Sequence, residues 1–467
     1  MQSRAMWWKV IILAGVTVLL LVALMRIGWL VDERQGRQRD AERSVAEAMA
    51  GEQVLLGPLL QRRCTEEWQQ VSGTGADRKV TPERRQFVLS SLPAQLTVDG
   101  SLTAASRYRG LFKVNGYNGQ LTLQAQWPSL AALTPKAEMN GRLSCDAPTV
   151  MLSVSDARGL RSVTVKQGSD ALTVQPGTQH DDYPRGLHAV LIDQPPDQPL
   201  HLSMAMQLVG MKDFGVVPAA SATVVHLRSN WPHPSFGGRF LPATREVTEQ
   251  GFDARWEVSE LATNAVREVQ GGKRIPIGRA AAEAADGETT LAAPAEQGAA
   301  VDTLNVAMLD PINPYVMSDR AIKYGLMFII LTFVCVGLLE LLANRRVHPV
   351  QYLLVGLAMT LFFLLLLSLS EHLSFAISYL LAAGSAVGLL TFYGSAMLGS
   401  LLRGLGFGAV IAALYGALYV LLNLEQASLL IGSMLLFAVL AAVMTLTRRV
   451  DWYAFNGRVL TPSIDTR

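Results

Sequence analysis

The chain has 467 residues, of which 50% are hydrophobic and 17% are charged, and its formal net charge is +2. The small net charge excludes a strongly basic nucleic-acid binder, so we expect no nucleic-acid partner. The sequence contains neither a Walker phosphate loop nor a G-x-G-x-x-G fingerprint, which excludes a nucleotide hydrolase of those types.

Residues 1–31 are predicted to form an N-terminal transmembrane anchor. The segment 10–30 is apolar except for Arg26 near its far end, and about 20 such residues suffice to cross a bilayer as a helix. The next residues, VDERQGRQRD, offer no small-residue cleavage site. We therefore expect an uncleaved anchor and not a signal peptide.

Residues 32–323 are predicted to form a large antiparallel β-rich, sandwich-like domain. In GQLTLQAQW (119–127), apolar and polar residues alternate, as they do in PTVMLSVSDARG, PLHLSMAMQLVG, ATVVHLRS and GFDARWEVS. Alternation of this kind, broken by turn residues such as Asn-Gly, indicates half-buried strands. Within the domain, 277–302 is rich in Ala, Gly and Glu and is expected to be a flexible insertion, followed by one last strand.

The chain has three widely spaced cysteines and no C-x-x-C spacing. Cys64 and Cys145 both lie in the predicted β-rich domain, and Cys335 lies in an apolar run. Cys64 and Cys145 could form a disulfide if their region is exported, because oxidising compartments permit it. The alternative, two unrelated thiols, stays open.

Residues 324–447 are predicted to form a five-span transmembrane bundle, followed by a cytoplasmic tail, 448–467. The apolar runs are 324–343, 350–369, 373–393, 405–422 and 427–447. Backbone polar groups must be paired within lipid, so these runs are expected to be packed helices. The fold class is therefore mixed: one anchor helix, a five-helix C-terminal bundle and an inserted β-rich domain.

The basic residues of the short connections predict the orientation. The basic residues before the first apolar run, between the C-terminal runs and directly after the last run are Arg4, Lys9, Arg345, Arg346, Arg403, Arg448 and Arg449. With six spans they all fall on one face, whereas the alternate breaks, SEH and NLEQ, contain no Lys or Arg. The positive-inside rule then predicts that both termini are cytoplasmic and that 32–323 is periplasmic. The three arginines within 34–39 weigh the other way, but long domains translocate largely regardless of charge.

The most unusual stretch is SNWPHPSFGGRFLPATREVTEQGF, residues 229–252. Its prolines fix φ and restrict the residues before them, and its two adjacent glycines permit turns closed to other residues. The favoured interpretation is a stiff structural corner in the β-rich domain. The alternative is a partner-binding loop, and its candidate residues are Trp231, His233, Phe236 and Arg239.

No metal, cofactor or catalytic residue is predicted. The stretch HDDYPRGLH brings together His180, Asp181, Asp182 and His188, a set that could hold a cation, but a solvated loop is the favoured interpretation. Neither H-E-x-x-H nor G-x-S-x-G occurs.

Glu340 is expected to pair with Arg345 and Arg346 at the membrane interface. No charge lies near the middle of the third to sixth spans, which disfavours a proton-coupled transporter.

The stretch 229–252 resembles the signature of the CreD family, bacterial inner-membrane proteins linked to cell-envelope integrity and to tolerance of E-group colicins. The segments LTPKAEMNGRLSCDAPTVMLSVSDARGL, FGVVP, SDRAIKYG, VHPVQYLLVGLAMTLFFLLLLSLSEHLSF and VDWYAF are also similar to family motifs, in the same order. The segment IGRAAAEAADGETTLAAPAEQGAA does not fit the pattern. The resemblance implies one span, a periplasmic domain and five further spans, but no catalytic mechanism.

We therefore expect a non-enzymatic multi-pass inner-membrane protein that supports envelope integrity or the stress response through its periplasmic domain. The expected partners are the lipid bilayer and envelope or inner-membrane proteins, and the sequence leaves the oligomeric state open. One alternative is a transporter or channel built on the five-span bundle. Another is an envelope-modifying enzyme with a periplasmic site near His233.

Overall fold

A computed structural model of the chain describes residues 2–72, 79–275, 301–308, 310, 314–343, 347–423 and 428–448. The chain divides into two compact units. The membrane unit comprises Met1–Gln38 and Ile312–Arg467, and the β unit comprises Arg39–Pro311. A single helix, α1 (Gln2–Ala48), contributes to both units, because the stretch DERQGRQRDAERSVAEA after the predicted anchor has a helix-forming composition and continues the anchor helix.

Among its described residues, the β unit contains 17 strands, one short α-helix, three 3₁₀ turns and the end of α1. The strands are β1 (Gln53–Ser72), β2 (Lys79–Ser91), β3 (Gln95–Arg109), β4 (Phe112–Trp127), β5 (Arg142–Cys145), β6 (Thr149–Val154), β7 (Leu160–Gln167), β8 (Asp170–Leu172), β9 (Val174–Pro176), β10 (Gly186–Val190), β11 (Leu200–Met211), β12 (Asp213–Val216), β13 (Ala222–Ser229), β14 (Pro234–Gly238), β15 (Thr244–Thr248), β16 (Gly251–Ser259) and β17 (Leu304–Met308). The helix α2 spans Ala265–Gln270.

The strands form two sheets. The first has the order β14-β17-β12-β1-β6-β10-β9, with β2 and β5 also paired to β1, and the second has the order β15-β16-β13-β3-β4-β11-β7-β8. Most pairs are antiparallel, as predicted, but β1 pairs with β12 and β3 pairs with β13 in parallel. Parallel neighbours need long crossover connections, which alternation within single strands does not reveal.

The two sheets pack face to face around one hydrophobic core. In β4 the predicted alternation is observed: Leu121, Leu123, Ala125 and Trp127 are buried and the residues between them are exposed. In β6 the predicted alternation of buried and exposed residues is wrong, because both faces of this strand are covered and all six of its residues are buried. The same core contains Leu60 of the first sheet and many residues of both sheets. Burying one such leucine side chain stabilises the fold by about 2 kcal/mol. The core thus joins the sheets in a sandwich.

The structure shows whether Cys64 and Cys145 are bonded and where the predicted last strand of the β unit lies. Cys64 and Cys145 form a disulfide, with their Cα atoms 4.1 Å apart and directly opposite each other in the β1–β5 ladder. The predicted last strand is β17, which lies between β12 and β14. Most of the predicted insertion 277–302 is outside the described residues. Its last two residues, Val301 and Asp302, are described, and Val301 is buried.

The membrane unit consists of α1 and the C-terminal helices α3 (Pro314–Ala343), α4 (Pro349–Ser370), α5 (Phe375–Leu398), α6 (Leu401–Asn423) and α7 (Ser428–Thr447). Within the described residues, α1 and α3 to α6 are long and apolar enough to cross a membrane, and α7 contains a shorter apolar stretch, Leu430–Thr445. The predicted layout of one N-terminal helix and a C-terminal group is confirmed. Helix α3 starts before the predicted position 324, in a polar stretch that hydropathy alone does not assign to a span.

The ends of these helices follow their local sequence. His348 caps α4, Pro349 occupies the first helical turn, and the Gln351 side chain accepts a hydrogen bond from the His348 backbone nitrogen. The tyrosine hydroxyl of Tyr352 donates a hydrogen bond to Glu340 Oε2 over 3.0 Å. The predicted partners of Glu340, Arg345 and Arg346, lie outside the described residues.

Candidate functional site

The segment 229–252 is more regular than predicted, because it contains two strands and passes from one sheet to the other. β14 pairs antiparallel with β17 at the edge of the first sheet, and β15 pairs with β16 in the second. At the last residue of β14, Gly238 has φ of 80°, and an added Cβ there would lie 2.2 Å from the Thr303 carbonyl oxygen. Glycine is therefore required at this crossing.

Two of the four candidate residues are built into the core. Trp231 is 8% exposed, and its Nε1 donates to the His233 carbonyl oxygen over 3.0 Å. Phe236 is half-buried and packs edge-on against Phe252 and Trp256, with ring centroids 5.6 and 5.7 Å apart. These contacts fix the backbone of β14 on the sandwich, as expected for a structural corner.

The other two candidates face solvent. His233 is exposed, and the side chain of Arg239 is 62% exposed, with its Nε 3.4 Å from Asp302 Oδ1. Asp302 also accepts hydrogen bonds from Thr263 Oγ1 and the Asn264 backbone nitrogen. The carboxylate therefore remains bonded without Arg239. The four candidates thus divide into two anchoring aromatics and two exposed side chains.

A third side chain that is cationic, or can become so, lies beside these candidates, and the sequence did not predict it. Lys113 of β4 places its Nζ 5.5 Å from the centroid of the Trp231 ring and 3.5 Å from Asp310 Oδ2. A cation over a tryptophan ring is attracted by the ring's quadrupole. No local pattern signals this contact, because Lys113 and Trp231 are far apart in sequence.

The predicted cation set separates in the structure. His180 Nδ1 accepts from the Asp182 backbone nitrogen over 3.2 Å, and burial lowers the pKa of His180 against the opposing effect of Asp182 and Asp181. His188 instead lies in β10, with Nδ1 2.6 Å from the Gly177 carbonyl oxygen. The part of the chain that the structure describes contains no group of three His, Cys, Asp or Glu side chains suited to a metal ion.

A half-buried carboxyl group in β12, that of Asp213, was not predicted from the sequence either. Burial, reinforced by the nearby charge of Glu52, raises the pKa of Asp213 to about 7, and Lys212 acts in the opposite direction. Lys212 Nζ itself lies 2.6 Å from Glu42 Oε2. The Tyr117 hydroxyl donates to the Asp213 carbonyl oxygen over 2.9 Å. Of these groups, the Asp213 carboxyl is the one whose pKa is raised toward neutrality.

The family model described as "Inner membrane protein CreD" matches residues 5–453. The chain belongs to the CreD family. A curated CreD relative, "Inner membrane protein CreD" of Escherichia coli strain K12, is 34% identical over 459 residues, which cover 98% of this chain and 96% of the relative. The predicted resemblance is confirmed. Together with the apolar helices, CreD membership supports a multi-pass location in the inner membrane.

Proposed function

We propose that this CreD-family protein supports cell-envelope integrity, or the response to envelope stress, by binding an envelope or inner-membrane protein through its β unit. The observation that carries the proposal is the division of the candidate residues on β14. Trp231 and Phe236 hold the strand rigidly, whereas His233 and Arg239 remain exposed. A rigid anchored strand with exposed polar groups has little conformational entropy to lose on binding.

The position of β14 in its sheet adds a second argument. It is the last strand of the first sheet among the strands that the structure describes, and one side of its backbone is paired with none of them. Unpaired edges are a common site at which an extended segment of a partner adds a strand. In this proposal the edge supplies backbone hydrogen bonds, and His233 and Arg239 supply specificity.

Two contacts support a periplasmic β unit with cytoplasmic termini. The disulfide between Cys64 and Cys145 is typical of an oxidising compartment. Within the membrane unit, Arg34 Nε lies 3.4 Å from Glu371 Oε1. Arg34 follows the first span and Glu371 lies between α4 and α5, two places that the charge distribution assigns to the same side of the membrane.

Reporter fusions test this topology. Alkaline phosphatase, which is active only after export, is expected to be active when fused after Ala300 and inactive when fused after Arg449. A cytoplasmic reporter should give the reverse result. Activity of the cytoplasmic reporter at Ala300 would overturn the topology, and the proposed periplasmic partner with it.

Complementation of a deletion strain under envelope stress, such as detergent or an E-group colicin, tests the partner surface. His233→Ala/Arg239→Ala is expected to lose complementation at normal protein level. The matched control, His201→Ala/Arg161→Ala, removes the same residue types from exposed positions on the second sheet and should complement fully. Full complementation by the first variant would show that this surface is not functional.

A photo-crosslinking residue at Ser235 would identify the partner, because Ser235 lies on β14 and is exposed. Capture of a discrete membrane or envelope protein that is lost in His233→Ala/Arg239→Ala is expected.

The two alternative functions gain no specific observation. Helices α4 and α5 contain no Asp, Glu, Lys or Arg, so neither offers the intramembrane charge that ordinarily marks an ion pathway.

A further inference from the structure

A cavity of about 210 Å³ opens on the first sheet at the end opposite β14. It lies on the outer face, which points away from the second sheet. Leu60, Val150 and Ala189 belong to the sandwich core, and because successive side chains of a strand point to opposite faces, their neighbours point outward. We refer to this space as the outer-face cavity.

The register of the ladders brings its lining residues together. Gln61 of β1 is opposite Thr149 of β6, which is opposite Val190 of β10, and His188 of β10 is opposite Gln175 of β9. Residues directly opposite each other in a ladder share a face of the sheet. The strands β1, β6, β10 and β9 therefore contribute to one surface. Each supplies a polar side chain to it, and on an ordinary outer face of a sheet such side chains would be exposed to solvent.

The floor of the outer-face cavity is both polar and buried. Gln61 and His188 are each 4% exposed and Thr149 is 8% exposed. The Gln61 amide donates to the Thr178 carbonyl oxygen, but its buried Oε1 accepts no hydrogen bond from the residues that the structure describes. A buried acceptor without a donor costs about 1–3 kcal/mol. Such an energetic cost is more readily tolerated at a site where a bound ligand can supply the missing donor.

His188 is held in a defined state at this floor. Its Nδ1 lies 2.6 Å from the Gly177 carbonyl oxygen, which can only accept, so Nδ1 carries the proton. The amide nitrogen of Gln179 lies 2.9 Å from Nε2, which therefore accepts. Gln179 adopts φ of 62°, a left-handed conformation that costs a non-glycine residue about 1–2 kcal/mol. Backbone strain of this kind clusters at binding sites.

The rim of the outer-face cavity carries one charge of each sign. Arg63 and Asp146 are exposed and directly adjoin the bonded cysteines Cys64 and Cys145. The Asp146 backbone nitrogen donates to the Arg63 carbonyl oxygen over 2.9 Å, which fixes the two backbones. The Arg63 guanidinium donates a hydrogen bond to the Gln179 carbonyl oxygen over 3.1 Å, but among the described residues neither Arg63 nor Asp146 makes an ion pair. The disulfide thus holds two unneutralised, opposite charges in place.

We propose that the outer-face cavity binds a small zwitterion of amino-acid to dipeptide size. The carboxylate of the ligand pairs with the Arg63 guanidinium, whose fork suits a carboxylate, and its ammonium group pairs with Asp146. The polar floor then receives its remaining N–H and C=O groups. A volume of about 210 Å³ is smaller than the roughly 300–1,000 Å³ of pockets for drug-sized ligands, which favours a ligand of this size.

Other small ligands fit the rim less well. A simple anion would leave Asp146 unpaired and be repelled by it, and a neutral saccharide would leave both rim charges without a partner. The site shares no residue with β14, so the inference goes beyond the proposed function and does not depend on it.

Isothermal titration of the full chain in nanodiscs with L-alanyl-L-alanine tests the proposal. Saturable binding is expected. The same dipeptide with an acetylated amino group and an amidated carboxyl group, and likewise glucose, should bind at least tenfold more weakly because they lack the two charges. The rim variants Asp146→Asn and Arg63→Gln are each expected to weaken binding at least tenfold.

Matched controls separate binding from folding. Asp193→Asn and Arg161→Gln change exposed residues outside the cavity and should leave the affinity unchanged. Because Arg63 and Asp146 are exposed as well, their variants should unfold at the parent temperature. The proposal is wrong if L-alanyl-L-alanine does not bind at millimolar concentration, if the blocked dipeptide or glucose binds as tightly, or if stable rim variants bind like the parent.

Discussion

The segment around β14 and the floor of the outer-face cavity, at opposite ends of the first sheet, differ in the side chains that they bury. At the β14 end the aromatic residues Trp231 and Phe236 pack on the core, whereas His233 and Arg239 face solvent. At the other end Gln61 and His188 are buried, and Val190 is exposed. Hydrophobic packing is non-directional, whereas buried polar groups depend on the geometry of each hydrogen bond. The two ends should therefore respond differently to substitution, pH and loss of covalent constraint.

The largest effect is expected from removing the disulfide, which lies at the cavity end. Cys64→Ser/Cys145→Ser should lower the free energy of unfolding by about 2–5 kcal/mol, because the unfolded chain gains freedom. Denaturant unfolding of the purified protein measures this loss, and hydrogen exchange should accelerate more in β1 and β5 than in β14. Cys335→Ser, which removes the free thiol, is the control. Equal acceleration at both ends would contradict the proposed contrast.

A smaller loss is expected at the β14 end from Phe236→Ala. Truncating a fully buried phenylalanine costs about 3–5 kcal/mol, and Phe236 is only half-buried, so we expect about 2 kcal/mol. The neighbouring exposed Ser235→Ala should change stability by less than about 0.5 kcal/mol. Thermal unfolding compares the two variants. If both changes are equally small, the aromatic contacts with Phe252 and Trp256 do not anchor the strand.

Asp213, on a strand between the two ends, allows a test by pH. Its pKa is raised from 3.8 to about 7, so the folded state holds the proton more tightly than the unfolded state. Its contribution to stability is therefore present below about pH 4 and is lost as the pH rises through about 7, with a slope of at most about 1.4 kcal/mol per pH unit.

Asp213→Asn should remove that decline, because an amide does not ionise in this range. The measurement is the denaturation midpoint of parent and variant from pH 4 to pH 8, with the exposed Asp193→Asn as the control. A parent whose stability does not fall over this interval would show that Asp213 is hydrated and not buried.

The features that sequence predicted are those encoded in consecutive residues. Apolar runs located the membrane helices, and alternation located β4, β11, β13 and β16. The disulfide stayed one of two alternatives, because pairing depends on a ladder between residues 81 positions apart. Local periodicity reports which face of an element is buried, but not which element covers it.

The remaining features depend on contacts between distant segments. PSFGG has a poor intrinsic preference for a strand, and β14 forms because β17 offers it a complete ladder. The outer-face cavity is similarly invisible in sequence, since Gln61, Thr149 and His188 come from three separated strands. HDDYPRGLH did mark His188, but as part of a cation set and not as the floor of a cavity.

The smallest effect on stability is expected from His233→Ala/Arg239→Ala, the variant proposed to lose partner binding. Both side chains are exposed, and an exposed ion pair such as Arg239 with Asp302 contributes about 0–1 kcal/mol. We therefore expect the free energy of unfolding to change by less than about 0.5 kcal/mol. Asp302→Ala should cost more, about 1–2 kcal/mol, because it also leaves Thr263 Oγ1 and the Asn264 nitrogen without their acceptor. If the double variant is as unstable as Asp302→Ala, His233 and Arg239 brace the β14 end, and its failure in complementation would report folding and not recognition.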